Sequence, residues 1–279
     1  MVARAVTSST FDIELPLLLE ALYRKYHYDF RGYALASLKR RLGQALRRFE
    51  CRTLSQLQDR VLHEPALFPV LLDFLTVQVS DMFRDPGYFR ALREQVIPLL
   101  RTYPSLKVWV AGCSTGEEVY SLAILLQEEG VLERSIIYAT DINASALERA
   151  QAGIYDAARM GGFTENHRKS GARTSLSDYY TAAYGKAVFD KALKTNVVFA
   201  DHSLSTDSAF SEVQLISCRN VLIYFDRELQ DRVLGLFRDS LCRKGFLGLG
   251  AKESLRFSAH AFAFSEFAAE ERIFRKEAS

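Results

Sequence analysis

Two adjacent carboxylates, Glu117 and Glu118, follow Gly112-Cys113-Ser114-Thr115-Gly116 at the end of the apolar run VWVA. The order reads as a buried strand, a tight glycine turn and an apolar helix, which is how nucleotide-binding folds open. A second acidic residue, Asp141, ends the run SIIYATD, 25 residues after Gly116. A carboxylate about 20 residues beyond such glycines commonly takes a ribose diol. Charge then selects among ribose-bearing ligands. A pyrophosphate needs a helix N-terminus free of negative charge, and here two carboxylates occupy that first turn. A phosphate-binding Walker loop needs Gly-Lys-Ser/Thr, where this sequence has Gly-Glu-Glu. S-adenosylmethionine satisfies the pattern, since it has a ribose, no phosphate, a cationic sulfonium and an ammonium. Complementing the helix dipole alone would gain only about 0.3–1 kcal/mol per glutamate, and it would leave Asp141 and the glycines unexplained. The expectation is a methyltransferase.

Other chemistries find little support. The cysteines Cys51, Cys113, Cys218 and Cys242 form no CxxC, and His27, His63, His167, His202 and His260 show no ligand spacing. Neither disulfides nor a metal site is expected, and a reducing cytoplasm is the simplest location. Cys218 in SCRN has no histidine near it and reads as a small buried residue at a strand end. No run of 18 apolar residues suggests a membrane span, and the N-terminus lacks a secretory pattern. With 48% hydrophobic and 25% charged residues, the chain reads as an ordinary globular protein.

The elements that must position these residues differ along the chain. Residues 11–75 read as helices. Residues 33–49 carry Leu35, Leu38, Leu42, Ala45 and Phe49 at alternating spacings of three and four, one apolar stripe. Arg40, Arg41, Arg47 and Arg48 are expected to project away from it, either as a solvated face or as a docking surface for an acidic partner. Residues 1–70 hold 11 Lys+Arg against 7 Asp+Glu, a balance of +4, and the remainder holds 25 against 27, a balance of −2. The basic patch is short and lacks interleaved aromatics, so nucleic acid is a poor fit. From about residue 105, short apolar runs alternate with helical segments, which predicts a parallel sheet with right-handed crossovers. Strands near 261–264 and 272–276 are expected as an antiparallel pair at its edge. Roughly 40 residues separate Ile154 from Asn196, too long for a structureless loop. They are read as an inserted, partly β subdomain at about 155–193, with turns at Gly161-Gly162 and Ser170-Gly171. The expected organisation is a helical domain over 1–75, a linker and donor-site segment over 76–104, and an α/β, Rossmann-like methyltransferase domain over 105–279.

GCSTGEEVYSLAI, ATDINASALERAQAGIY and ISCRNVLIYF resemble the three central motifs of the chemotaxis receptor methyltransferases, the CheR family. FLTVQVSDMFRDPGYF, residues 74–89, is similar to the family segment before that domain, and the basic N-terminal helix also matches. The resemblance implies O-methylation of glutamate side chains on the helical cytoplasmic region of chemoreceptors. Carried over by position, the donor contacts would be Gln78, Ser80, Arg84, Glu118 rather than Glu117, Asp141, Ser203, Leu204, Asn220 and Val221. Gln78, Ser80 and Ser203 depart from the family's usual residues, though each keeps a polar side chain. Arg84 would bind the donor's carboxylate or orient the acceptor's, and Tyr224 would line the transfer pocket. Arg40, Arg41, Arg47 and Arg48 would meet the receptor.

The carboxylate acceptor is ionised at neutral pH, so the reaction asks for no general base, and the lack of a Ser/His/Asp or Cys/His set is consistent with it. Positioning and desolvation would carry catalysis. A monomer without direct membrane insertion is expected. A competing reading is a donor-binding signalling or scaffold module of weak activity, for which the three departures are the only sequence support. Methylation of nucleic acid would need an Asn/Asp-Pro-Pro-Tyr/Phe pocket where CRNV stands.

Overall fold

Helix-forming sequence fills the first quarter of the chain, and strands begin only at Leu106; the computed structural model, which describes residues 9–277, falls into two compact units. One unit comprises residues up to Val77 together with Tyr224–Leu229, and the other comprises Gln78–Ile223 and the chain from Gln230.

In the first unit α1 (Thr10–Tyr26) starts where the Ser9 side chain accepts from the Asp12 N–H, relieving one unpaired helix donor. Helices α2 (Leu35–Arg48), α3 (Leu54–His63) and α4 (Leu67–Leu75) follow. Leu15, Leu18 and Leu22 of α1 are buried with Leu57 and Val61 of α3, and Leu38 and Leu42 of α2 with Leu71 and Leu75 of α4. The expected stripe on α2 is rotated. Leu35 is 58% exposed, whereas Arg41 is 5% exposed. The reason is geometric: at 100° per residue, position 41 lies beside 38 and 45 on the face turned to the core. Arg41 survives there because its guanidinium donates to the Ser37 and Leu75 carbonyls and lies 5.4 Å from the Tyr224 ring. It does not project away from the stripe. Arg40, Arg47 and Arg48 are exposed.

The second unit begins with α5 (Pro86–Ala91) and α6 (Ile97–Leu100), joined by a π-turn over Leu92–Val96. Then come β1 (Leu106–Ala111), α7 (Glu117–Glu128), β2 (Ser135–Asp141) and α8 (Ala144–Ala152). Next are β3 (Ile154–Asp156), α9 (Met160–Lys169), β4 (Tyr180–Ala183), β5 (Lys186–Phe189), β6 (Val197–Asp201) and β7 (Val213–Cys218). The chain ends with α10 (Arg227–Ser240), β8 (Leu241–Leu249), β9 (Phe264–Ala268) and β10 (Ile273–Lys276). The large sheet runs β6-β2-β1-β7-β8-β10-β9, parallel from β6 to β8 with β10 and β9 antiparallel at the edge. β9 starts at Phe264, later than the sequence suggests, because Ala261–Ala263 form a 3-10 turn. β1 pairs with β2 on one side and β7 on the other, so the strand order reverses there. A crevice is expected at the carboxyl ends of these two strands.

β3, β5 and β4 form a separate antiparallel sheet. Tyr155, Phe163, Tyr179 and Phe189 from this insertion join the same apolar cluster as Val119 and Tyr120 of α7. Gly161 and Gly162, expected in a turn, instead lie in the first turn of α9. Ser170 ends that helix, and Gly171 follows at φ 80°.

Candidate active site

At the carboxyl ends of the parallel strands, Gln78, the Gly112–Gly116 turn and Asp141 are joined by hydrogen bonds. After β1, the chain turns through Gly112 (φ 74°), Ser114 (φ 51°) and Gly116 (φ 91°). The Gly112 and Cys113 N–H groups both donate to the Thr140 carbonyl, at 2.8 and 2.9 Å. A Cβ on Gly112 would stand 2.6 Å from Val221, and one on Gly116 would stand 2.8 Å from the Ala150 Cβ. Both glycines therefore answer to protein packing as well as to turn geometry.

Asp141 ends β2, 9% exposed. Its Oδ2 accepts from the Ser114 N–H at 2.8 Å and its Oδ1 from the Asn143 N–H at 3.0 Å. Burial pushes this carboxyl above the ordinary aspartate range, against the lowering effect of those N–H groups. The carboxylate keeps acceptor capacity for a ligand hydroxyl. Ser114 Oγ donates to Gln78 Oε1 at 2.7 Å, so Gln78, the turn and Asp141 form one chain of contacts. Beyond the neighbouring β6, Ser203 donates its N–H to Asp207, and Leu204 is buried. The adjacent His202 N–H donates to the Asp141 carbonyl.

The two glutamates that prompted the charge argument are both partnered. Glu117 is 1% exposed and meets Arg159 Nη1 at 2.8 Å. Arg159 also donates to the Ser80 carbonyl and reaches Asp81. Glu118, 14% exposed, accepts from Ser217 Oγ at 2.6 Å and pairs with Arg219 Nη1 at 3.1 Å. The Arg219 side chain is 1% exposed, pairs with Asp85 at 2.7 Å and donates to the Arg84 carbonyl at 2.9 Å. Its Nε finds no partner among the described residues. The negative rim is thus largely neutralised by the protein's own cations, and only Glu118 keeps part of its carboxylate open.

Asn220 follows at φ 62°, its N–H held by Glu253 Oε2 at 3.0 Å. Glu253 is buried and also accepts from the Gly250 and Ile223 N–H groups. Burial raises its carboxyl, and those N–H bonds oppose the rise. The Arg84 side chain is half-buried and makes no hydrogen bond or ion pair among the described residues. Tyr224 belongs to the first unit with Arg40, Arg41, Arg47 and Arg48, and its carbonyl accepts from the Ala34 N–H.

Sequence reading missed Arg159, Arg219 and Glu253. Two neighbouring glutamates on a largely apolar helix signal that buried cations must exist. Nothing local says which arginines these are. Cys113 and Cys218 are buried, and burial pushes both thiols well up, so neither is a thiolate nucleophile. Among the described residues no group of His, Cys, Asp and Glu could hold a metal, and no helix is long and apolar enough to cross a membrane.

Known proteins resemble this chain along nearly its whole length. The family model described as CheR methyltransferase, SAM binding domain, matches residues 78–270, and the one described as CheR methyltransferase, all-alpha domain, matches residues 13–76. The chain is 62% identical over 265 residues to Cher3 of Pseudomonas putida, taking in 95% of this chain and 97% of that one. It is 33% identical over 229 residues to the chemotaxis protein methyltransferase of Listeria innocua, 81% of this chain and 84% of the relative. A 104.1 kDa protein of Rhodobacter capsulatus is 30% identical over 246 residues, 85% of this chain but 25% of that one.

Proposed function

The chain belongs to the CheR methyltransferase family, S-adenosylmethionine-dependent protein methyltransferases of chemotaxis, and we propose that it methylates glutamate side chains on the cytoplasmic helices of chemoreceptors. The observation that carries this reading is the joining of Gln78, the Gly112–Gly116 turn and Asp141 at the ends of β1 and β2, in a chain whose relatives include a chemotaxis protein methyltransferase. The residues fit the donor chemically. Asp141 offers a largely buried carboxylate for the ribose hydroxyls, and the turn brings backbone close without side chains at Gly112 and Gly116. Glu118 offers its open carboxylate edge to the ammonium, and Asn220-Val221 and Ser203-Leu204 would flank the ligand. Arg84, whose side chain has no hydrogen-bond or ion-pair partner among the described residues, suits a carboxylate of the donor or the acceptor, because its planar fork binds either in two hydrogen bonds.

S-adenosylmethionine, when bound, supplies a methyl group activated by the sulfonium. The protein's part is to orient and desolvate, because an ionised glutamate needs no base to attack. Tyr224 is proposed to line the transfer pocket. Arg40, Arg47 and Arg48 are proposed to meet the receptor. Arg41, being buried, is excluded from that set.

Incubating the protein with radiolabelled donor and a receptor-bearing membrane fraction tests the proposal. The expected result is label on receptor that alkali releases, as carboxyl methyl esters require. Label that survives alkali, or its absence from receptor, would remove glutamate as the acceptor.

A further inference from the structure

Phe83 (φ 51°) and Asp85 (φ 54°) flank Arg84 in left-handed conformations, and Asn220 (φ 62°) follows Arg219 in another. Such backbone is uncommon outside glycine, and at a residue as bulky as Phe83 it persists only where the surroundings over-determine it. Here the surroundings are specific. The Phe83 N–H donates to Ser121 Oγ at 2.8 Å, and that hydroxyl donates to the Glu117 carbonyl one turn back on α7. Arg219 Nη2 is shared by the Arg84 carbonyl and the Asp85 carboxylate, at 2.9 and 2.7 Å. The other arm of the same guanidinium meets Glu118, and its Cζ lies 4.2 Å from the Tyr88 ring centre. One buried fork therefore holds both the strained turn that presents Arg84 and the carboxylate of Glu118.

We infer that Arg219 is a positioning residue for methyl-donor binding, acting through Glu118 and the Phe83–Asp85 turn. The inference rests on the donor-site reading above. A lysine at 219 could keep the charge but could not span both partners, since an ammonium lacks the planar two-armed geometry. Two consequences of removing Arg219 separate by ligand charge. Lost position weakens any ligand held by Glu118 and Arg84. Lost countercharge alone leaves Glu118 more negative and favours S-adenosylmethionine, a sulfonium, over S-adenosylhomocysteine, a neutral thioether.

Calorimetric titration of the full chain with both ligands tests this, with melting of the ligand-free proteins alongside. Wild type is expected to bind both, and Arg219→Gln to weaken both by about 10- to 100-fold, S-adenosylhomocysteine somewhat more than S-adenosylmethionine, while remaining folded at the titration temperature. Arg219→Lys should stay nearer to Arg219→Gln than to wild type. Unchanged affinities, or a change confined to the ratio of the two ligands, would overturn the inference and leave the donor site standing. A wild type that binds neither ligand overturns the donor site and the inference together. If Arg219→Gln does not fold, Asp85→Asn decides. It removes one anchor of the same fork at a half-exposed side chain, so a parallel loss for both ligands supports positioning and unchanged affinity sinks it.

Discussion

Asp141 does two jobs that mutation would expose together. Its carboxylate holds the Ser114 and Asn143 N–H groups, and it is the proposed ribose partner. Asp141→Ala should therefore lose stability as well as ligand affinity, because it leaves buried donors unpaired at about 1–3 kcal/mol. Affinity for S-adenosylhomocysteine should fall roughly 10- to 150-fold, the equivalent of one charge-assisted hydrogen bond. Urea unfolding and calorimetric titration of the same sample check both effects. A variant that keeps wild-type affinity would show that Asp141 serves the turn alone. Glu118 and Glu117 carry a related lesson: an acidic pair at a helix start reads as a cation site until the arginines that meet it are seen.

At the scale of elements, α7 is gripped at both ends. Glu117 and Glu118 lie at its start, and at its far end Glu128 and Glu129 meet Arg93 at 2.6 and 2.9 Å. From the insertion, Thr174 donates to Glu128 at 2.7 Å, His167 stands 3.2 Å away, and Arg173 reaches Glu129 at 3.0 Å. Burial would raise the Glu128 carboxyl, but the contacts from His167, Thr174 and Arg93 outweigh it and hold it at about 2. The folded value is below the unfolded one, so the stabilisation is fully present above about pH 4.5 and is lost as pH falls through about 2. Glu128→Gln should cost on the order of 3 kcal/mol at neutral pH, and the gap from wild type should close between pH 4.5 and 2. Denaturant unfolding at several pH values reads this. A gap that does not change with pH would show that the effect is packing rather than charge.

Across the whole molecule the charge is uneven, with the basic excess in the first 70 residues. Arg40, Arg47 and Arg48 stay exposed on α2, and a glutamate-rich receptor helix would feel their field mainly as a faster, better-oriented encounter. Replacing these three with glutamate should abolish receptor methylation while leaving S-adenosylhomocysteine affinity and melting temperature near wild type. Wild-type methylation should also fall as salt rises, since exposed charges are screened over about 8–10 Å. Normal methylation by the triple variant would reduce the patch to a solvated face.

Local pattern alone made much of this legible. Apolar runs alternating with helical periodicity announce a parallel α/β sheet, the glycine turn follows directly from Gly112 and Gly116, and Asp141 is fixed at a strand end by its place in SIIYATD. These features depend on residues a few positions apart, where side-chain periodicity and backbone sterics act. Only the folded chain decided which partners meet. Glu117 pairs with Arg159 across 42 positions and Glu118 with Arg219 across 101. Arg41 is buried because α2 turns that side to α4, not because its neighbours are apolar. The strand order that brings the Gly112 turn, Asp141 and Asn220 to one end of the sheet is likewise set by packing. Such choices depend on which charges lose water on folding and which cation can reach them, and sequence spacing does not encode that.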